Sequence, residues 1–164
     1  MLWKCYLTMI LLVIIISSLF LFTGCPGPAP RTSNPQQPIV ITLANDQDRH
    51  VDEGHYYVYG NPIVIEKAGQ IDVYFNLKEW DEDYRIEVIF LSDDEFEHFK
   101  RGETFWSIKH IPALYQGTYE VSFAVSPGIY CLIVDNSDLG YEDTDWDGVN
   151  DDAVYDLIVT YTYY

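Results

Sequence analysis

The chain has 164 residues and a formal net charge of −17. That excess of carboxylates argues against nucleic acid, whose binding draws on lysine and arginine to release counterions, and against adsorption to anionic headgroups. Disorder, the usual alternative for so acidic a chain, needs few apolar residues, whereas 48% of these are hydrophobic and 16% aromatic, enough for one folded core.

Lys4 is followed by the apolar run Ile10-Leu11-Leu12-Val13-Ile14-Ile15-Ile16, then Ser17-Ser18 and Leu19-Phe20-Leu21-Phe22. A charged start, an apolar middle and small residues at the exit are the grammar of a signal peptide. The run is also just long enough to span a bilayer, so a retained helix is one alternative and ordinary secretion another; each of these places the rest of the chain outside the cytoplasm. Phe22-Thr23-Gly24-Cys25 resembles a bacterial or archaeal lipobox, with Phe22 in the place of the usual leucine. The resemblance implies a prokaryotic lipoprotein: a signal peptide over residues 1–24, a lipid on Cys25, and an extracytoplasmic domain held to the membrane through it. Residues 25–38 then form a proline-rich linker, carrying five of the chain's eight prolines. Proline fixes φ and removes an amide donor, so this stretch is a semi-rigid spacer of about 3 Å per residue.

Three cysteines have three fates. Cys5 lies in the removable segment, Cys25 at the junction and Cys131 alone in an apolar strand, where it reads as a small buried hydrophobe and leaves no disulfide framework.

Residues 39–164 are predicted to form the domain. Ile39-Val40-Ile41-Thr42-Leu43 is a short strand candidate, and the polar stretch through His50, Asp52, Glu53 and His55 reads as a solvated turn without metal-ligand spacing. Alternation with period two marks half-buried strands at Ile71-Leu77, at Ile86, Val88 and Phe90 against Arg85 and Glu87, at Tyr119-Val125 and at Tyr155-Tyr163. Ile129-Tyr130-Cys131-Leu132-Ile133-Val134 is apolar on both faces and suits a central strand covered on both sides. Turn signals stand at Gly60-Asn61-Pro62, Ala68-Gly69, Gln116-Gly117, Ser126-Pro127-Gly128 and Asp135-Asn136-Ser137. One short helix is expected over Asp93-Lys100, with acids first and Lys100, Arg101 and Gly102 at its end. The sum is an all-β fold, an antiparallel β-sandwich of jelly-roll type with one helix.

Several of these segments resemble a GOLD-like β-sandwich over residues of about 62 to 138. Val88-Ile89-Phe90-Leu91, the Asp-Glu-Phe helical turn with Lys100-Arg101-Gly102-Glu103, Gln116-Gly117-Thr118-Tyr119-Glu120-Val121 and Pro127-Gly128-Ile129-Tyr130-Cys131-Leu132-Ile133-Val134-Asp135-Asn136-Ser137 carry the resemblance. It implies a protein-binding or accessory sandwich, and these are fold-making residues without a catalytic set.

Asp143-Thr144-Asp145-Trp146-Asp147-Gly148-Val149-Asn150-Asp151-Asp152 places carboxylates at positions 1, 3, 5 and 9 with glycine at 6. That is the order in which a loop wraps a hard cation, and it is similar to EF-hand loops and to thrombospondin type-3 repeats. Asp143, Asp145, Asp147, the Val149 carbonyl and Asp151 are the candidate calcium ligands. Val154 stands where an EF-hand has its bidentate glutamate, so Asp152, Asp156 or water would complete the shell; a plain Asp- and Gly-rich connection is the alternative reading. Trp80 and Trp146, each in an acidic loop, either pack over the sandwich ends or stack on a ligand. The expected function is a non-catalytic, lipid-anchored surface protein that binds an unidentified protein or stabilises an envelope assembly, calcium giving it rigidity; a carbohydrate-binding module is the alternative.

Overall fold

The computed structural model describes residues 36–79, 86–113, 115–142 and 152–164. Among them eight strands and one helix run in the order β1 (Ile39–Val51), β2 (His55–Ile65), β3 (Gly69–Glu79), β4 (Ile86–Ser92), α1 (Asp93–Lys100), β5 (Ser107–Ala113), β6 (Gly117–Val125), β7 (Gly128–Asn136) and β8 (Ala153–Tyr163). They form two four-stranded sheets, β1-β8-β3-β6 and β2-β7-β4-β5. Every neighbouring pair is antiparallel.

The pairs β1·β8, β2·β7, β3·β6 and β4·β5 show the logic of this order. The chain runs out through β4, returns from β5, and the doubled ribbon rolls up so that β8 also meets β3 and β7 also meets β4. Rolling an antiparallel ribbon into two packed sheets gives a jelly roll, and the antiparallel sandwich expected from the sequence is the fold observed.

Between the sheets, Ile71, Phe75, Leu77, Tyr155, Leu157 and Val159 face Ile86, Val88, Phe90, Leu132 and Val134. Complete burial of each aliphatic or aromatic side chain contributes about 1.5–3 kcal/mol. Two tyrosine hydroxyls enter this core and are satisfied there: Tyr59 OH donates to Asp46 Oδ2 at 3.0 Å and shares a 3.0 Å bond with Tyr155 OH. Burial pushes both phenols up, Tyr155 to about 12, so they remain neutral donors tying β1, β2 and β8 together.

A second apolar layer lies on the far side of the β2-β7-β4-β5 sheet. Ile89, Leu91, Cys131 and Ile133 are covered by Phe96 and Phe99 of α1 and by Phe105. The helix forms where the sequence places it. Ser92 caps it, its side chain accepting from the Glu95 amide at 3.4 Å, with Asp93, Asp94 and Glu95 in the first turn. Gly102, at φ 62°, lets the chain leave in the left-handed region. Strand β7 is therefore central and covered on both faces, as its apolar run requires. Cys131 is the small buried hydrophobe expected there, and burial pushes its thiol up to about 11.

Three expectations are corrected. The polar stretch after Leu43 is not loop: β1 continues to Val51, including His50, and only residues 52–54 turn before His55 opens β2. Two bulges carry it, between Thr42 and Ala44 and between Asp46 and Arg49, and they disrupt the period-two pattern. Gly60-Asn61-Pro62 is not a turn between strands but a bulge inside β2, where Gly60 adopts φ 56°. Asp135 and Asn136 do not close a turn; they are the buried last residues of β7. Strand β5, which the sequence pattern did not mark, holds Pro112 and mixes exposed with buried residues, as a strand at a sheet edge can.

Candidate functional site

Cys25, Trp80, Trp146 and the proposed calcium ligands Asp143, Asp145, Asp147, Val149 and Asp151 all lie outside the described residues. What the structure describes is the platform leading into the acidic loop, where residues 137–142 leave β7 and fold back over the outer face of the β2-β7-β4-β5 sheet.

Two carboxylates lie beneath that segment. Glu87 on β4 and Asp135 on β7 are directly opposed across the strand pair, each 1% exposed. Opposed like charges destabilise a strand pair, and burial sharpens the conflict, so the pair needs partners or a proton. Glu87 has partners: its Oε1 accepts the amides of Tyr141 at 2.7 Å and Glu142 at 3.3 Å. Its Oε2 lies 2.5 Å from His110 Nε2 on β5, an ion-pair distance at an angle that departs from hydrogen-bond geometry.

Asp135 holds its proton more tightly than an ordinary aspartate. Burial, with the Glu87 charge adding to it, pushes its carboxyl up to about 7 against the opposing pull of bonds from Ser137 and Gly140. Its Oδ1 accepts from Ser137 Oγ at 2.6 Å, while Oδ2 is buried without a hydrogen-bond partner among the described residues. A proton on Oδ2 gives that oxygen a donor's role beside the Glu87 carboxylate. Gly140 seals the pair: a Cβ there would overlap Glu87 Oε1 and stand 2.5 Å from Asp135 Oδ2, so only glycine allows the backbone this close.

Beside this cluster an aromatic ridge reaches solvent. Tyr141 packs against Phe105 and His110, with ring centroids 4.7 Å away in each case. Its hydroxyl accepts the Ser107 amide at 2.9 Å and donates to Ser107 Oγ at 3.1 Å. The Trp106 amide donates to Glu95 Oε2 at 2.9 Å, fixing the backbone from which the indole projects. Trp106 is 77% exposed, and Ile108 and Tyr141 are each 44% exposed.

The sequence reading placed Glu87 on a wet face; the structure buries it, because the outer layer covers the face it shares with Ile89. The signal was available in Val88-Ile89-Phe90-Leu91, where no polar side remains. Nothing in the sequence around Trp106 marks it as exposed, since it follows Phe105, which is buried, and lies in no acidic loop. Asp156, one of the acids proposed to complete the calcium shell, is engaged elsewhere. It lies 2.5 Å from Lys78 Nζ and accepts the Asp48 amide at 3.0 Å, across the second bulge of β1. The bond from Lys78 holds its carboxyl below the usual range.

Chemically, the acid pair can hold a proton but is closed to a substrate by the backbone of residues 140–142, whereas the ridge is open and rigid. The exposed face of the other sheet carries a shallow depression of about 480 Å³ lined by Asp72, Tyr74, Glu120, Ser122, Ile158 and Thr160.

No protein-family model and no curated protein matches this chain. Among solved structures it is similar to the pre-peptidase C-terminal domain of collagenase from Bacillus anthracis, at TM-score 0.40 and 16% identity, covering 69% of this chain and 89% of that one. It is also similar to the Bacillus endospore appendages described as disulfide-linked pili, at TM-score 0.29 and 13% identity, covering 74% and 95%. Likenesses this distant bear on neither activity nor partner, and the antiparallel β-sandwich rests on the strand order itself.

Proposed function

We propose that this chain is a non-catalytic binding module of the cell surface, anchored by a lipid on Cys25, stiffened by calcium in the Asp143–Asp151 loop, and contacting a protein partner through the Trp106 ridge. The observation that supports it is the ridge: an indole 77% exposed, on backbone fixed by Glu95 and Tyr141, beside exposed Ile108. Exposed aromatics on rigid backbone are where binding energy concentrates, since ordering them costs little entropy. A glycan is the second reading, favoured by the same indole, whose face would stack on a sugar ring near the Glu95 carboxylate.

A photo-crosslinking residue at position 106 of the full chain, on the cells that make it, tests this. It is expected to yield one discrete protein adduct that the same probe at position 158, on the opposite face, does not. A polysaccharide adduct confined to position 106 transfers the reading to the glycan. Identical adducts at both positions, or none, defeat both.

A further inference from the structure

Among the described residues each sheet has two edge strands, and an edge that stays regular invites another strand. Three of the four are interrupted. Strand β1 has its two bulges, β2 bulges between Tyr59 and Ile63 around Pro62, and β5 carries Pro112. Strand β6 has no such interruption. Its nine residues, Gly117–Val125, pair with Leu77–Gly69 of β3 without a register shift. Its inward side chains Tyr119, Val121 and Phe123 pack on the core but are only half-buried, whereas Ile71, Val73 and Phe75 beside them on β3 are buried. A strand added at this edge would complete their cover.

We propose that β6 is a docking edge for a second copy of this chain, the two β6 strands pairing antiparallel about a two-fold axis through Val121. The strand is complementary to itself in that register. Tyr119 faces the partner's Phe123, an aromatic pair of the kind that stabilises neighbouring strands. Thr118 faces the partner's Ala124. Glu120, the only charged residue of the strand, faces the partner's Ser122. A register centred on Glu120 would instead set two carboxylates face to face, and one centred on Ser122 would lose the Tyr119–Phe123 pair, so charge and aromatic pairing together select the Val121 axis. The contact is isologous, closes at two copies and joins two four-stranded sheets into one of eight. With a net charge of −17 on each copy, long-range repulsion opposes the encounter, so added salt tightens the dimer rather than weakening it.

Sedimentation equilibrium of the full chain in a non-ionic detergent, over a range of concentration and salt, reads the association. Ser122→Lys places an ammonium opposite the partner's Glu120 twice per dimer and is expected to tighten association roughly 2- to 30-fold. In the monomer the same ammonium stays beside Asp72, which already binds Ser122 Oγ at 2.5 Å, and an unchanged thermal melt confirms folding. The double variant Glu120→Lys/Ser122→Lys sets like charges opposite each other in this register and is expected to weaken the dimer below wild type. A monomer at every concentration overturns the proposal. So does a dimer whose constant neither variant moves, because association would then run through another surface, or a heterologous strand as the only ligand of this edge.

Discussion

The two sheets are each built from four antiparallel strands, yet they live in different surroundings. The β1-β8-β3-β6 sheet buries one face and wets the other, so β3 alternates strictly from Ile71 to Leu77. The β2-β7-β4-β5 sheet buries both faces of its central strands, and β4 and β7 are buried almost throughout. A sheet covered once needs only alternation, whereas a sheet covered twice must fill its outer face or neutralise it. Under α1 it fills that face with Ile89, Leu91 and Ile133. Beyond the helix, where backbone replaces side chains as cover, the same face carries Glu87 and Asp135, and burial there raises the Asp135 carboxyl to about 7.

The strongest way to break this difference is Phe99→Ala. Phe99 is 0% exposed and meets Tyr56 and Phe105 edge to face at 5.1 and 5.5 Å, so its truncation is expected to cost about 3–5 kcal/mol in urea unfolding. A loss below about 1 kcal/mol would mean the outer layer contributes little.

Asp135→Asn sharpens the comparison through pH. The folded carboxyl titrates near 7 against an ordinary value of 3.8, so the folded state binds the proton more tightly than the unfolded state does. Its contribution is complete below pH 3.8 and is lost as pH rises to about 7, beyond which it is flat. Asparagine keeps the uncharged form at every pH. The variant is therefore expected to gain on wild type between pH 4 and 7 at up to about 1.4 kcal/mol per pH unit and to hold that gain above it. Parallel stability curves for the two proteins over that range would show that Asp135 is ionised throughout.

The smallest effect is expected on the singly covered sheet. Ile158 is 37% exposed on the outer face of β8, between the buried residues Leu157 and Val159, and Ile158→Thr should stay within about 0.5 kcal/mol of wild type. A larger loss would mean that face is also covered.

What could be read from sequence follows from the same contrast. Alternation exposed β3, β6 and β8, and an unbroken apolar run placed β7 at the centre, because hydrophobic pattern reports directly on how many faces are buried. The helix was legible from its acids and glycine. Strand β5 and the second half of β1 were not, since edge strands bear Pro112, bulges and polar residues that a central strand excludes. The acid pair was the least legible feature. Glu87 and Asp135 stand 48 residues apart, and only the β4·β7 register brings them together. Asp135-Asn136-Ser137 has turn composition, which hid a strand end designed around burial.

The pairing of β1 with β8 also sets an order in time. Among the described residues β1 has no ladder partner until residues up to 163 exist, so the roll cannot close before β8 is made. Contacts of such sequence separation form slowly, which leaves β1 without its neighbour long after β3 has met β6 and β2 has met β7. That delay follows from the place of β8 between β1 and β3: until it forms, neither has the neighbour that completes their sheet.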